Sequence, residues 1–188
     1  MTEPADMPLE DPPTRSVAGR LVGTLLLDGA TYEEIENDTS ALIGAIVVVT
    51  LAGIARGVGI PAASPVREII GSGLAGLIIW LVAGLLIWAI GVRRMGYTSS
   101  YPELLRTIGF AALPLLLLFM GALPLGAAAK PVWIVAHGWA LLALIVAMRE
   151  ALDVSNVTAV VVCLLALATA AAVVAGMGTV LLLAWPAS

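Results

Sequence analysis

The chain has 188 residues, 61% of them hydrophobic and 12% charged, with a mean hydropathy of +1.06. Charged residues normally make up about 25% of a globular chain, and a water-soluble domain this small cannot hide so much apolar surface, so a soluble enzyme, a disordered chain and a disulfide scaffold are excluded. A formal net charge of -4 with only nine Lys and Arg leaves no basic footprint for nucleic acid, and the single Cys163, set in an apolar run, reads as a small core hydrophobe.

Residues 1–15 read as a solvated, disordered tail: Glu3, Asp6, Glu10 and Asp11 stand beside Pro4, Pro8, Pro12 and Pro13, the opposite of a signal peptide. Residues 16–38 read as an interfacial helical segment. From Ser16 to Leu27 the apolar side chains fall in i, i+4, i+8 rows (Val17, Leu21, Leu25 and Ala18, Val22, Leu26), with Arg20 and Thr24 off that face. The run is too short to span, so it predicts a short amphipathic helix capped by Ser16 and lying apolar side down in the cytoplasmic interface. Thr31 and Glu34 match a capping box for a second short helix with Tyr32 and Ile35 on one side. Glu33, Glu34, Glu36 and Asp38 read as a solvated acidic face, or alternatively as a docking surface.

Residues 39–188 read as a transmembrane domain. A helix needs about 20 mostly apolar residues to cross the hydrocarbon, and the long uncharged runs are too continuous for barrel strands. Five spans are expected, at about 39–60, 67–92, 103–126, 131–150 and 156–180. The fold class is therefore an all-α polytopic membrane protein with a short interfacial helix ahead of five transmembrane helices. Pro61 and Pro65 flank a loop that stops the first span, and Arg93 and Arg94 close the second. Pro102 and Pro131 suit the first turns of the third and fourth, and Ser155 or Asn156 can cap the fifth. Pro114 predicts a kink, Pro124 a second kink or the outer end of the third span, and Gly176 and Gly178 a bend or the exit from the bilayer. With the amino terminus inside, the inner segments hold six Arg and the outer ones two Arg and one Lys, which favours a cytoplasmic amino terminus and an outside carboxyl terminus. Trp80, Trp88, Trp133 and Trp185 include interfacial anchors, Trp88 and Trp133 fitting best.

Few polar residues interrupt the spans. Arg56 sits toward the outer third of the first and is expected to snorkel; pairing with Glu68 is the structural alternative, and lining an ion path the third. At the inner end, Glu103 and Arg106 are three apart, and Arg149 and Asp153 four apart with Glu150 beside them. These spacings permit intrahelical pairs, and the two clusters are expected to staple the third and fourth spans together. His137 stands alone, without ligand-spaced partners for a metal, and is expected to hydrogen-bond to a neighbouring helix. No Asp or Glu interrupts a span, and no nucleophile–base arrangement, Walker loop or dinucleotide motif occurs, so no cofactor is expected. The many glycines suggest close helix packing.

The stretch Gly96-Tyr97-Thr98-Ser99-Ser100-Tyr101-Pro102-Glu103-Leu104-Leu105-Arg106-Thr107-Ile108-Gly109-Phe110-Ala111-Ala112-Leu113-Pro114 resembles the third-span signature of the Yip family (Ypt/Rab-interacting, Yip-one-type domain). Met148-Arg149-Glu150-Ala151-Leu152-Asp153-Val154-Ser155 resembles the end of the fourth span in prokaryotic members, and Asp28 to Asp38 their pre-membrane segment. The resemblance covers most of Leu21 to Val180 and implies five spans with the amino terminus inside. Eukaryotic relatives work with small GTPases in vesicle traffic; this chain departs from them, with no Asp-Leu-Tyr-Gly-Pro-like segment and no long cytosolic arm. Arg over Lys and the Ala/Gly richness suggest a prokaryotic inner membrane.

Three functions compete. The first is a non-catalytic protein organising lipid or membrane partners, with a homo-oligomer among the candidate assemblies. Its structural or partner-contact candidates are Tyr97, Tyr101, Glu103, Arg106, Pro114, Arg149, Glu150 and Asp153. It predicts no polar cavity at mid-membrane. The second is a small permease or channel subunit, with a wet path past Thr50, Ser72, Thr107, His137 and Thr169. The third, an intramembrane enzyme, lacks mid-membrane acids.

Overall fold

The computed structural model describes residues 15–59, 64–97 and 99–184; most of the expected amino-terminal tail, Pro61 and Trp185 lie outside the described residues, as do the side chains of Arg94 and of most residues after Thr169. Among the described residues every regular element is helical. In chain order they are α1 (Val17–Leu25), α2 (Gly29–Asn37), α3 (Ala41–Gly59), α4 (Pro65–Trp88) continued by a π-helical turn (Ala89–Arg94), α5 (Tyr101–Ala111) continued by a 3-10 segment (Leu113–Ala122), α6 (Ala129–Ala151) and α7 (Asn156–Ala184). Among the described residues four helices are long and apolar enough to cross a bilayer: Ala41–Gly59, Pro65–Arg93, Tyr101–Ala122 and Gly126–Ala151. The stretch Asn156–Thr169 of α7 is a shorter apolar helix by the same measure, and α7 runs on unbroken past Gly176 and Gly178. The protein is a polytopic helical membrane bundle.

Local chemistry sets most boundaries. Ser16 Oγ accepts from the Gly19 amide (3.2 Å), and Ser155 Oγ from the Thr158 amide (3.3 Å), so both act as caps. Pro65 opens α4, where its missing N–H costs nothing. Pro114 ends the α geometry of the third span: with no amide to give to Phe110, the chain continues as a 3-10 helix of ten residues, far longer than the usual single turn. Extended backbone at Leu123, just before Pro124, closes that segment.

Small residues set how closely the helices approach. A Cβ on Gly53 of α3 would lie 2.6 Å from the Ser72 carbonyl oxygen of α4, and one on Gly59 2.6 Å from that of Leu118 in the 3-10 segment. With lipid outside, such backbone contact and van der Waals packing hold the bundle together. The main core joins Ile35 of α2 with Ala45, Trp80, Leu104, Phe110, Met148 and Cys163, so the cap helix shares one apolar interior with the spans.

Candidate functional site

Two regions stand out: a polar cap where α1 and α2 sit on one end of the bundle, and a hollow that opens toward the other end.

The cap is built by turning polar side chains inward. α1 is amphipathic as its periodicity predicts, but its polar face is the one that meets protein. Arg20 and Thr24 are buried, while Val17, Val22 and Leu26 are exposed. Arg20 Nε pairs with Glu34 Oε1 at 3.0 Å and Nη1 with Asp38 Oδ2 at 2.5 Å; Arg15 pairs with Asp28 at 2.9 Å. Burial works against the Arg20 charge, yet Asp38 and Glu34 outweigh it and hold its pKa above the usual value. Asp38 is pushed down to about 2, first by hydrogen bonds from Ser40 and then by Arg20.

Two expectations about this segment are corrected. The acidic cluster is not a solvated face: Glu34 and Asp38 are spent on Arg20, Glu36 is half-buried, and among the four only Glu33 is fully exposed. Nor do Thr31 and Glu34 form a capping box. α2 begins three residues earlier, after Asp28, and the Thr31 hydroxyl donates to Asp28 Oδ2 at 2.8 Å from inside the helix. Tyr32 and Ile35 do share one face, and both are fully buried.

The cap is then tied to the spans. Arg106 of α5 donates from Nε (3.0 Å) and Nη2 to the Glu36 carbonyl, and Trp139 Nε1 of α6 donates to the Leu25 carbonyl at 3.0 Å. These two carbonyls lie in the last turns of α2 and α1, where the chain leaves them without helical partners. Gly29 lies so close to the Arg149–Glu150 pair of α6 that a Cβ there would be 2.3 Å from Glu150 Oε1. Glu36 faces Glu103, Asp153, Arg106 and Glu33; burial first, then repulsion from Glu103 and Asp153, raises its carboxyl to about 7.

The expected staple between the third and fourth spans is therefore corrected. Glu103 does not pair with Arg106. It closes a capping box with Ser100, accepting from the Ser100 amide at 2.7 Å. Arg149 pairs with Glu150 and reaches Asn156 (3.4 Å), while Asp153 occupies a left-handed turn position with φ 50°. Arg106 reaches the cap instead because an uncommitted carbonyl at the end of α2 lies within its range. Tyr101 donates its hydroxyl to the Leu81 carbonyl (2.9 Å), tying the start of α5 to α4; Tyr97 packs on the main core, and Pro114 is fully buried. The sequence reading singled out neither Ser100, Gly29 nor Trp139. The Ser-x-x-Glu spacing at Ser100 was a usable signal; the other two depend on tertiary contact.

The second region is a cavity of about 970 Å³. Its walls come from α3 and α4 on one side and α6 with Ala166 and Leu167 of α7 on the other, over α5 and the 3-10 segment. Ala52, Gly76, Ala83, Ala111 and Ala140 supply little side chain to fill it. Its polar lining is sparse: Ser72, Arg56, Lys130 and His137. Of the five residues expected along a wet path, Ser72 and His137 are on the wall. Thr50 and Thr107 are off it and bonded to carbonyls of their own helices, as is Thr169. His137 is also corrected: Nδ1 donates to the Trp133 carbonyl one turn back on its own helix (2.9 Å), and its ring stacks on Trp133 at 4.0 Å. Arg56 is exposed, lies on the cavity wall, and does not join any of the ion pairs among the described residues, so the pair with Glu68 is not formed. Among the described residues no group of His, Cys, Asp and Glu is placed to hold a metal.

A family model described as the Yip1 domain matches residues 22–177, and the chain belongs to that family. No curated protein and no solved structure matches it.

Proposed function

We propose that this Yip1-domain protein is a non-catalytic organiser of membrane lipid and neighbouring membrane proteins. In this reading it crosses the bilayer five times, through residues 39–188, in a prokaryotic inner membrane, with residues 1–15 as a tail and 16–38 as the interfacial segment. The amino terminus is cytoplasmic and the carboxyl terminus outside. Tyr97, Tyr101, Glu103, Arg106, Pro114, Arg149, Glu150 and Asp153 serve as structural or partner-contact positions around the cap.

The observation that carries this reading is the orientation of α1. Its polar face is locked onto the protein by Arg20, which leaves the row Ala18, Val22 and Leu26 exposed (Val22 56%, Leu26 74%) as an outward apolar face, with Val17 exposed beside it at the start of the helix. Such a row suits the headgroup–acyl boundary, or the flank of a partner embedded there. An environment-sensitive dye on Val22→Cys in nanodiscs should emit as if immersed, and Asp at Val17, Val22 and Leu26 together should reduce photo-cross-linking to neighbours. A water-like emission from the dye in the otherwise unaltered protein would overturn the reading.

The permease reading draws on Ser72 and His137 at the cavity wall. It requires solute or ion flux through liposomes that contain the purified protein and not through empty ones.

A further inference from the structure

We propose that the cavity is a lipid site: it takes one acyl chain of an anionic phospholipid from the leaflet opposite α1 and α2, with the headgroup phosphate held by Arg56 and Lys130. This goes beyond the organising role and does not depend on how α1 meets the membrane.

Three observations carry it. The first is shape. The lining runs along α4 from Ser72 to Ile87, about 22 Å of helix and more than half of the ~30 Å hydrocarbon thickness. At about 970 Å³ the space lies at the upper end of the ~300–1,000 Å³ common for small-molecule sites. The second is the wall. Val49, Ile79, Trp80, Ile108, Leu118 and Leu144 present hydrocarbon to it, so an acyl chain is matched where a column of water or a hydrated ion is not.

The third is the distribution of charge. Arg56 is in the last turn of α3 and Lys130 in the first of α6, both at the end of the bundle away from the cap. Neither is in an ion pair among the described residues. The nearby acid, Glu68 in the first turn of α4, is not on the lining and faces the Ser72 hydroxyl at 3.5 Å. Two cations on the wall of an apolar cavity at the edge of the hydrocarbon call for an anion, and a phosphate that also carries a chain satisfies wall and charge together. Trp133, 55% exposed and stacked on His137, stands on the same wall at headgroup level, where amphipathic rings are favoured.

The test is thermal melting of the full chain in detergent with added phosphatidylglycerol, phosphatidylcholine or inorganic phosphate. Phosphatidylglycerol should raise the midpoint by about 5 °C, phosphatidylcholine much less, and phosphate alone not at all. The shift should vanish in the exposed double variant Arg56→Gln/Lys130→Gln, and in Ala140→Phe, which puts a ring into the path of the chain through the cavity. Equal shifts with the two lipids, or no shift with phosphatidylglycerol, overturn the proposal. A shift reproduced by phosphate alone reduces the site to an ion contact and overturns it as well. A shift that survives Ala140→Phe overturns the cavity as the chain's location, and one that survives the double variant overturns the phosphate contact.

Discussion

The two ends of the bundle solve opposite problems. At the cap, α1 and α2 bring five acids and two arginines into a small volume and pair three of the acids, Asp28, Glu34 and Asp38, with the arginines, while Arg106 and Trp139 reach up to main-chain carbonyls. Toward the other end the small residues of α4 and α6 leave an unfilled space, and two cations stand beside it without protein partners. A burial penalty explains the contrast. A polar group withdrawn from water is tolerated when it is paired, so the charges of the cap are tied together, and among its described side chains the Thr24 hydroxyl and the Tyr32 phenol are the buried groups left without a partner. An apolar hollow costs dispersion contacts but leaves no orphaned charge inside, and lipid can restore those contacts.

The comparison can be broken or sharpened by substitution. The largest effect is expected from Arg20→Ala, which leaves Glu34 and Asp38 partly buried without their cation; loss of about 2–3 kcal/mol should appear as a lower melting midpoint and fast hydrogen exchange across Val17–Leu25. An unchanged midpoint would mean that the cap is not held by charge. Next come two alanines one turn apart on α6. Ala143 is fully buried against Tyr32, so Ala143→Leu should cost about 2 kcal/mol by overpacking, whereas Ala140→Leu, which faces the cavity, should be close to neutral. Equal penalties would erase the distinction between a packed and a hollow end. Trp139→Phe removes one hydrogen bond to Leu25 and should cost about 1 kcal/mol, read as faster exchange in α1 with the spans unaffected.

The smallest effect is a dependence on pH, and it has opposite signs for two acids of the cap. The Glu36 carboxyl is raised from 4.5 to about 7, so the folded state binds more protons than the unfolded one in that window and stability falls as pH rises through it. Asp38 is lowered from 3.8 to about 2, so its contribution is present above 3.8 and is lost as pH falls toward 2. Glu36→Gln should flatten the decline between pH 4.5 and 7 and leave the acid limb in place. An identical profile for the variant would show that Glu36 is not the group responsible.

Much of this architecture was legible because lipid imposes length and continuity on a spanning helix. The run from Ile69 to Val92 carries no charge, and α4 with its π-helical continuation covers it; the break at Pro114 follows from a missing amide. The direction of α1 was half legible. The apolar rows predicted amphipathicity, but the polar stripe with Arg20 needed Glu34 and Asp38, 14 and 18 residues away, before its inward turn made sense. The spacing of Arg149 and Asp153 suggested a pair that a left-handed turn at Asp153 prevents. The hollow was not legible at all. Alanine and glycine permit both close contact and a gap, and only the separation of α4 from α6 decides between them.

The ten residues from Leu113 to Ala122 have one more consequence. A 3-10 helix rises about 2.0 Å per residue against about 1.5 Å for α, so this half of the third span reaches roughly 5 Å further than the same residues would as α-helix. Rewinding it would shorten one rod of the bundle by that amount while its neighbours kept their lengths. That figure is comparable to the few ångströms by which hydrocarbon thickness varies between membranes, so the element most sensitive to hydrophobic mismatch is also the one that floors the hollow.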